Sequence, residues 1–299
     1  MQISTSVFYD TAARRMTALT GKANALQVQI STGKKLTNPS DDAAAAAQVA
    51  EFDRRDADDA VYKTNLTLAG SLLQQADTTL GQIGNQVQKA LELTTQAANG
   101  TLTAANRASV GDQIASIRDA LLGLANSKDS RGLPLFGAGA GSDAVTMSGG
   151  SYTYTNSTAN VSDIPIADGQ SVDVSVSAER VFKAGDNDDT LNVLNRLVTA
   201  LKSGGDASAT ISDAMDKLKA ANDNVSTVQA SVGAREARVE LQQGLQKAAS
   251  TDRAQLRSSI EDADPVETIT QLQQTMTVLQ ATQSSFTKLT SLSLFDYLK

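Results

Sequence analysis

The sequence has no cysteine and no histidine. Without cysteine there is no disulfide framework, no thiolate nucleophile and no thiolate zinc site. Without histidine the commonest general base and the commonest transition-metal ligand are also missing. Tryptophan is absent and aromatic residues make up 4% of the 299 residues, so a thick aromatic core is excluded. Alanine, leucine, valine, serine, threonine and glutamine fill the space instead, a mix suited to long helices with narrow contacts. No stretch approaches the ~18 consecutive apolar residues of a membrane span, and residues 1–10 lack the apolar segment of a signal peptide. The reading is a protein that is cytosolic or leaves the cell by a route that cleaves no signal. A net charge of −7 opposes nucleic-acid binding, whose affinity comes mainly from phosphate neutralisation. Catalysis by carboxylates and lysine alone remains chemically open, but the usual catalytic groups are gone.

What is present is helical spacing at both ends. Ala12, Met16, Leu19, Ala23, Leu26 and Ile30 advance by alternating steps of four and three, and so do Ile269, Leu272, Met276, Leu279, Gln283 and Phe286. Such a seam leaves an apolar stripe in water unless another helix covers it. Two seams, one per terminus, predict a chain that folds back and closes its ends together, a rod-like subunit rather than a globular enzyme. The first 35 residues are locally basic, with Arg14, Arg15, Lys22, Lys34 and Lys35 against Asp10. The regular seam argues against reading that stretch as a transit peptide. Polar or small residues within the seams (Ala12, Ala23, Gln283, Thr290) make each pair weak alone and predict neighbours from other subunits.

Between the ends the spacing continues. The first helix should stop near Gly33. Asn38-Pro39-Ser40-Asp41-Asp42 then reads as a helix start, with Ser40 as the cap and both carboxylates in the first turn, where the helix dipole favours them. Leu66, Leu73, Leu80 and Val87 repeat every seven residues, as do Ala69, Ala76, Ile83, Ala90 and Ala97. Asn99-Gly100 breaks that helix, and Val110, Ile114, Ile117, Leu121 and Leu124 mark the next.

Near residue 129 glycines and Pro134 replace the helical pattern. Residues 151–155 and 172–177 alternate as strands do, with Asp168-Gly169 as a turn signal. Helical spacing returns with Leu191, Leu194, Val198 and Leu201, led by the capping cluster Asp186–Asp189. A long helix follows with Ile211, Leu218, Val225, Val232 and Val239, and Asp264-Pro265 opens the last one. All four prolines (Pro39, Pro134, Pro165, Pro265) fall at joints or in the insertion. The predicted fold class is mainly α, a nested antiparallel long-helix coiled-coil bundle with a small β-rich insertion domain. Its domains are 1–38 with 264–299 as a terminal coiled coil, 39–132 with 184–263 as a long-helix rod, and 133–183 as the insertion.

The candidate chemical motifs fail on spacing. Gly33-Lys34 lacks the spaced glycine of a phosphate loop, since Val28 stands there. Gly137, Gly139 and Gly141 do not match a dinucleotide-binding turn and no helical pattern follows them. Asp186–Asp189 lacks the glycine and the distal glutamate of a calcium loop. Asp41 and Asp42 are adjacent on a helix and point about 100° apart, which suits capping better than a shared substrate. No catalytic, cofactor or metal residue is assigned.

Several segments together carry a resemblance. Residues 29–35 (QISTGKK) followed by Asn38-Pro39-Ser40-Asp41-Asp42-Ala43 are similar to a signature of the bacterial flagellin family. Residues 97–102, Leu124-Ala125-Asn126, residues 132–137 and Ile166-Ala167-Asp168-Gly169 resemble later segments of the same family. The ending, 291–298, is more similar to the junction branch of that family than to the filament-forming one. The resemblance covers essentially the whole chain. It implies a structural, non-enzymatic subunit of the extracellular bacterial flagellum, exported through the flagellar type III channel. Further implications are a homo-oligomeric ring between the first hook-associated protein and flagellin, an export chaperone on the C-terminal region before secretion, and an outward-facing β insertion. A filament-forming flagellin and a flagellin-like surface adhesin are the alternatives. Flagellins recognised by innate receptors carry arginine where Leu91 stands, although Gln88, Lys89, Glu92 and Leu93 match, so receptor recognition is not implied.

Overall fold

The computed structural model describes residues 2–137, 143–155, 163–183 and 189–297. The chain divides into two compact units, Met1–Asp58 with Ala248–Lys299, and Asp59–Lys247. We call them the terminal unit and the central unit. Gly139, Gly141, Asp186, Asn187, Asp188 and Leu298, all used in the sequence reading, lie outside the described residues.

The terminal unit contains α1 (Gln2–Thr32) and α7 (Pro265–Tyr297). It also holds the start of α2 (Ala43–Ala97) and the end of α6 (Ser208–Glu261), both of which continue into the central unit. α1 ends where the spacing predicts: Gly33 takes φ +70°, a left-handed conformation that only glycine adopts freely, and its N–H closes on Gln29 O at 2.9 Å. α7 opens as expected with Pro265 at its first position. Asp264 caps it, accepting from Val266 N at 2.8 Å and Glu267 N at 3.2 Å.

The central unit is built on the antiparallel α2 and α6, with α3 (Ala104–Ala125) and α5 (Thr190–Lys202) packed beside them. Leu66, Leu73, Leu80, Val87, Ala69, Ala76, Ile83, Ala90 and Ala97 are all buried, and so are Ile211, Leu218, Val225, Val232 and Val239. The heptads read from sequence are therefore the core stripes of this unit. Each buried leucine or isoleucine contributes on the order of 1.5–3 kcal/mol by leaving water. α3 and α5 are also antiparallel: Arg118 bonds Asn195 Oδ1 at 2.8 Å, and Lys202 pairs with Asp112 at 2.5 Å. Gly111 lets them approach, since a Cβ there would stand 3.3 Å from Leu201 Cβ.

The insertion holds two separate hairpins, β1 (Val145–Ser148) with β2 (Ser151–Tyr154), and β3 (Ile164–Ala167) with β4 (Gln170–Val172). Asp168-Gly169 forms the second turn as expected, with Gly169 at φ +64°. A lone two-stranded hairpin is marginal in water, and here asparagines supply the missing neighbour. Asn126 donates to Val145 O at 2.9 Å and accepts from Val145 N at 2.8 Å. Asn192 accepts from Tyr152 N at 3.0 Å, and Asn195 donates to Gly150 O at 3.0 Å.

The strand expected over 172–177 is shorter, because its ladder stops at Val172. Val172, Val174 and Val176 still alternate inward, but the carbonyls beyond find a side chain instead of a strand. Arg235 donates to Asp173 O at 3.2 Å and Ser175 O at 2.9 Å. A short helix, α4 (Ala178–Phe182), follows, which the period-two pattern gave no sign of; Ser177 caps it and accepts from Arg180 N at 3.2 Å.

Candidate assembly site

The two terminal seams do meet. Tyr9 packs edge-on against Phe286 with ring centroids 5.5 Å apart, while Lys34 pairs with Glu261 at the other end. Tyr9 lies near the start of α1 and Phe286 in the later part of α7, while Glu261 closes α6 just before α7 begins, so α1 and α7 run antiparallel. On α1, Ala23 and Leu26 are buried and Ala12, Met16 and Leu19 are half-buried, all on one face. The sixth position departs from expectation: Ile30 is exposed, and Gln29 takes the inner place. Gln29 is held on that side by its side-chain bond to Lys35 O at 3.1 Å, just beyond the end of the helix.

On α7 the correction is larger. Leu272, Leu279 and Phe286 lie inward and half-buried, but Ile269, Met276 and Gln283 are exposed. The inner positions belong to Thr268 and Thr275, both buried, and to half-buried Thr282. Threonine can sit there because its hydroxyl bonds its own helix. Thr268 donates to Asp264 O at 2.6 Å, Thr275 to Gln271 O at 2.7 Å and Thr282 to Val278 O at 2.7 Å. The satisfied hydroxyl leaves the methyl group for packing. Stripes one residue apart share the same four-three spacing, so periodicity alone does not choose between them.

Where α1 meets the end of α6, two short segments clasp. Lys35 N donates to Glu261 O at 2.7 Å and Ala263 N to Gly33 O at 2.9 Å. Lys35 Nζ reaches Ser259 O at 3.2 Å, and Gln29 donates to Lys35 O at 3.1 Å. This clasp was invisible to periodicity, since it joins residues more than 220 apart through the main chain.

The start motif of α2 is real, but its roles are redistributed. Asp42, not Ser40, is the cap, accepting from Ala44 N and Ala45 N at 3.0 Å each. Asn38, Pro39, Ser40 and Asp41 form the preceding turn. Asp41 folds back to accept from Asn38 N at 2.8 Å and the Thr37 hydroxyl at 3.0 Å. Those bonds, the Asn38 amide first, hold its carboxyl below the ordinary carboxylate range. A carboxylate one residue later reaches the free N–H groups of the first turn, whereas Ser40 is two residues too early.

Ion pairs follow on α2. Arg55 meets Glu51 at 2.9 Å and Arg54 joins it; these bonds lower the Glu51 carboxyl. Arg253 bonds Asp56 at 2.8 Å, and Arg257 spans Asp53 at 2.6 Å and Asp56 at 3.1 Å. In the central unit, buried Asp189 caps α5 through Leu191 N at 3.0 Å, accepts from Asn192 Nδ2 at 2.8 Å and binds the Tyr154 hydroxyl. Burial raises both the Asp189 carboxyl and the Tyr154 phenol. Burial also works against the charge on Asp129, but bonds from Arg131 and from the Leu133 and Arg131 amides outweigh it and hold that carboxyl low.

Among the described residues no group of three or more acidic side chains is placed to hold a metal ion. No described helix is long and apolar enough to cross a membrane. What the described residues of the terminal unit show is two helices, α1 and α7, packed along one face of each.

Comparison with known proteins identifies that arrangement. Residues 3–138 match the bacterial flagellin N-terminal helical region and residues 215–298 the bacterial flagellin C-terminal helical region, together most of the chain. The chain belongs to the bacterial flagellin family. Over 319 aligned residues it is 29% identical to flagellar hook-associated protein 3 of Escherichia coli strain K12, covering 100% of both chains. Among solved structures, this flagellin-family fold is similar to a Vibrio parahaemolyticus protein assigned as flagellar hook-associated. That match has TM-score 0.69 and 20% identity, covering 74% of this chain and 100% of the other. It is also similar to the flagellar junction protein of Legionella pneumophila, with TM-score 0.58 and 13% identity, covering 73% and 100%. The helical ends on which the family matches include the α1/α7 pair.

Proposed function

We propose that the protein is the structural subunit that joins the hook of the bacterial flagellum to its filament. One observation carries this reading: the likeness to hook-associated protein 3, which covers 100% of both chains. The geometry supports it. The α1/α7 pair buries little within one chain and leaves Val266, Ile269 and Met276 on its surface, as a surface completed by neighbours would.

In this reading residues 1–38 and 264–299 are the inner coiled-coil domain, 39–132 and 184–263 the long-helix domain, and 133–183 the outward part. Copies form a ring, with the first hook-associated protein on one side and flagellin on the other. The ring adapts one lattice to the other and performs no reaction. The chain reaches that place by export through the flagellar type III channel, with a chaperone on its C-terminal region beforehand and no cleaved signal.

Immunogold labelling of intact cells with an antibody against residues 133–183 tests the reading. A narrow band at the hook–filament boundary is the expected result. Label along the whole filament would make the protein a filament flagellin instead.

A further inference from the structure

Residues 43–58 of α2 run against residues 248–261 of α6 in the terminal unit, and this stretch is held differently from the helices on either side of it in sequence. From Ala43 to Asp58 no residue is buried, and from Ala248 to Glu261 the single buried residue is Glu261 itself. The apolar side chains nearest to burial, Val49, Phe52 and Ile260, are half-buried, and Leu256 is 54% exposed. What crosses between the two helices is charge: Arg253 to Asp56, and Arg257 to Asp53 and Asp56. The Arg253 side chain is 13% exposed, whereas its partner carboxylate is 43% exposed.

Interdigitated apolar side chains fix a helix pair in one register, because any slide opens voids. Half-exposed ion pairs contribute only ~0–1 kcal/mol each and impose no such lock. Arg257 already spans two carboxylates about one helical turn apart, so a splay of the helix ends can break one of its pairs while keeping the other.

We propose that residues 43–58 and 248–261 form a salt-sensitive joint, in which the ends of α2 and α6 splay apart while each remains helical. This is a conformational device built from charge where the neighbouring segments use apolar packing. Its use in adapting two lattices rests on the junction reading above; its existence does not.

The natural absence of cysteine makes the test clean. Spin labels at Ala57→Cys and Ala254→Cys, both exposed positions, report the separation across the joint in the full chain. Labels at Gln74→Cys and Ala237→Cys, also exposed, report the apolar part of the same helix pair. Raising salt from about 0.1 M to about 1 M cuts the screening length from ~10 Å to ~3 Å. The first distance distribution should then broaden towards longer separations, while the second stays fixed. Replacing both cross-helix arginines with leucines (Arg253→Leu, Arg257→Leu), which removes all three ion pairs, should abolish the salt response. An unchanged first distribution at high salt would overturn the proposal. So would equal broadening at both sites, or a salt response that survives the leucine pair.

Discussion

The α1/α7 pair and the α2/α6 core of the central unit share one spacing and differ in what fills it. In the central unit the inner positions hold Leu66, Leu73, Leu80 and Ile83, all fully buried. In the terminal pair small or polar residues (Ala12, Ala23, Thr268, Thr275) alternate with larger ones such as Leu26, Leu272 and Leu279, and only Ala23, Leu26, Thr268 and Thr275 are buried among the described residues of α1 and α7. Both are helix pairs of the same sense. The difference teaches that periodicity sets which faces meet, while side-chain volume sets whether one chain is enough. The central unit closes its own core; the terminal pair, in the reading proposed above, is completed by neighbouring copies.

The largest expected effect falls in the closed core. Leu80→Ala should cost ~3 kcal/mol in urea unfolding of the isolated chain. A loss below ~1 kcal/mol would mean that the core repacks freely and would erase the contrast. Leu272→Asp puts a charge at a half-buried seam position. It should cost the isolated chain only ~1–2 kcal/mol, yet block its incorporation into flagella, read by restored motility in cells lacking the native protein. Normal incorporation would remove the seam from the assembly account.

The helix start gives a smaller effect. Asp42→Ala should destabilise the beginning of α2 by ~1 kcal/mol, whereas Ser40→Ala should stay within ~0.5 kcal/mol. Amide exchange over residues 43–50 reads both, and the reverse order would restore Ser40 as the cap.

The smallest effect is that of pH. Asp41 and Glu51 titrate below the ordinary carboxylate range in the terminal unit. Their contribution is present above that ordinary value and is lost as pH falls through their lowered folded values. Asp189, raised by burial in the central unit, has the opposite sign: its folded state favours the proton, so its stabilising contribution is lost as pH rises through the raised value. Amide exchange between about pH 2 and about pH 5 should therefore show protection falling at residues 37–55 in acid, but not around Asp189. Parallel loss at both would contradict these assignments.

Much of the fold was legible because heptads are a long-range statement written locally. The stripes of α2 and α6 and the joint at Pro265 follow from residue type and spacing alone. The misreadings share a cause. Ile269 and Met276 looked like inner residues of the α1/α7 pair because they are apolar, yet within one chain they are exposed; Thr275 is inner because its bond to Gln271 O removes the polarity of its hydroxyl. Arg235 ends a strand from 60 residues away, and Arg253 meets Asp56 from 197 away. Neither pairing leaves a local trace. The cap was read as Ser40 with both aspartates inside the first turn, and only the chain direction after Pro39 puts Asp42 at the cap.

The most direct test of the central claim is amide hydrogen exchange on the isolated monomer, repeated on the protein within intact flagella. The account predicts that amides of α1 and α7 exchange ~100-fold or more faster than those of residues 66–97 in the monomer, as expected of a unit with little buried apolar contact. It also predicts that they become protected on assembly. Equal protection of both regions in a proven monomer would show that the terminal pair is already complete, and would contradict the account.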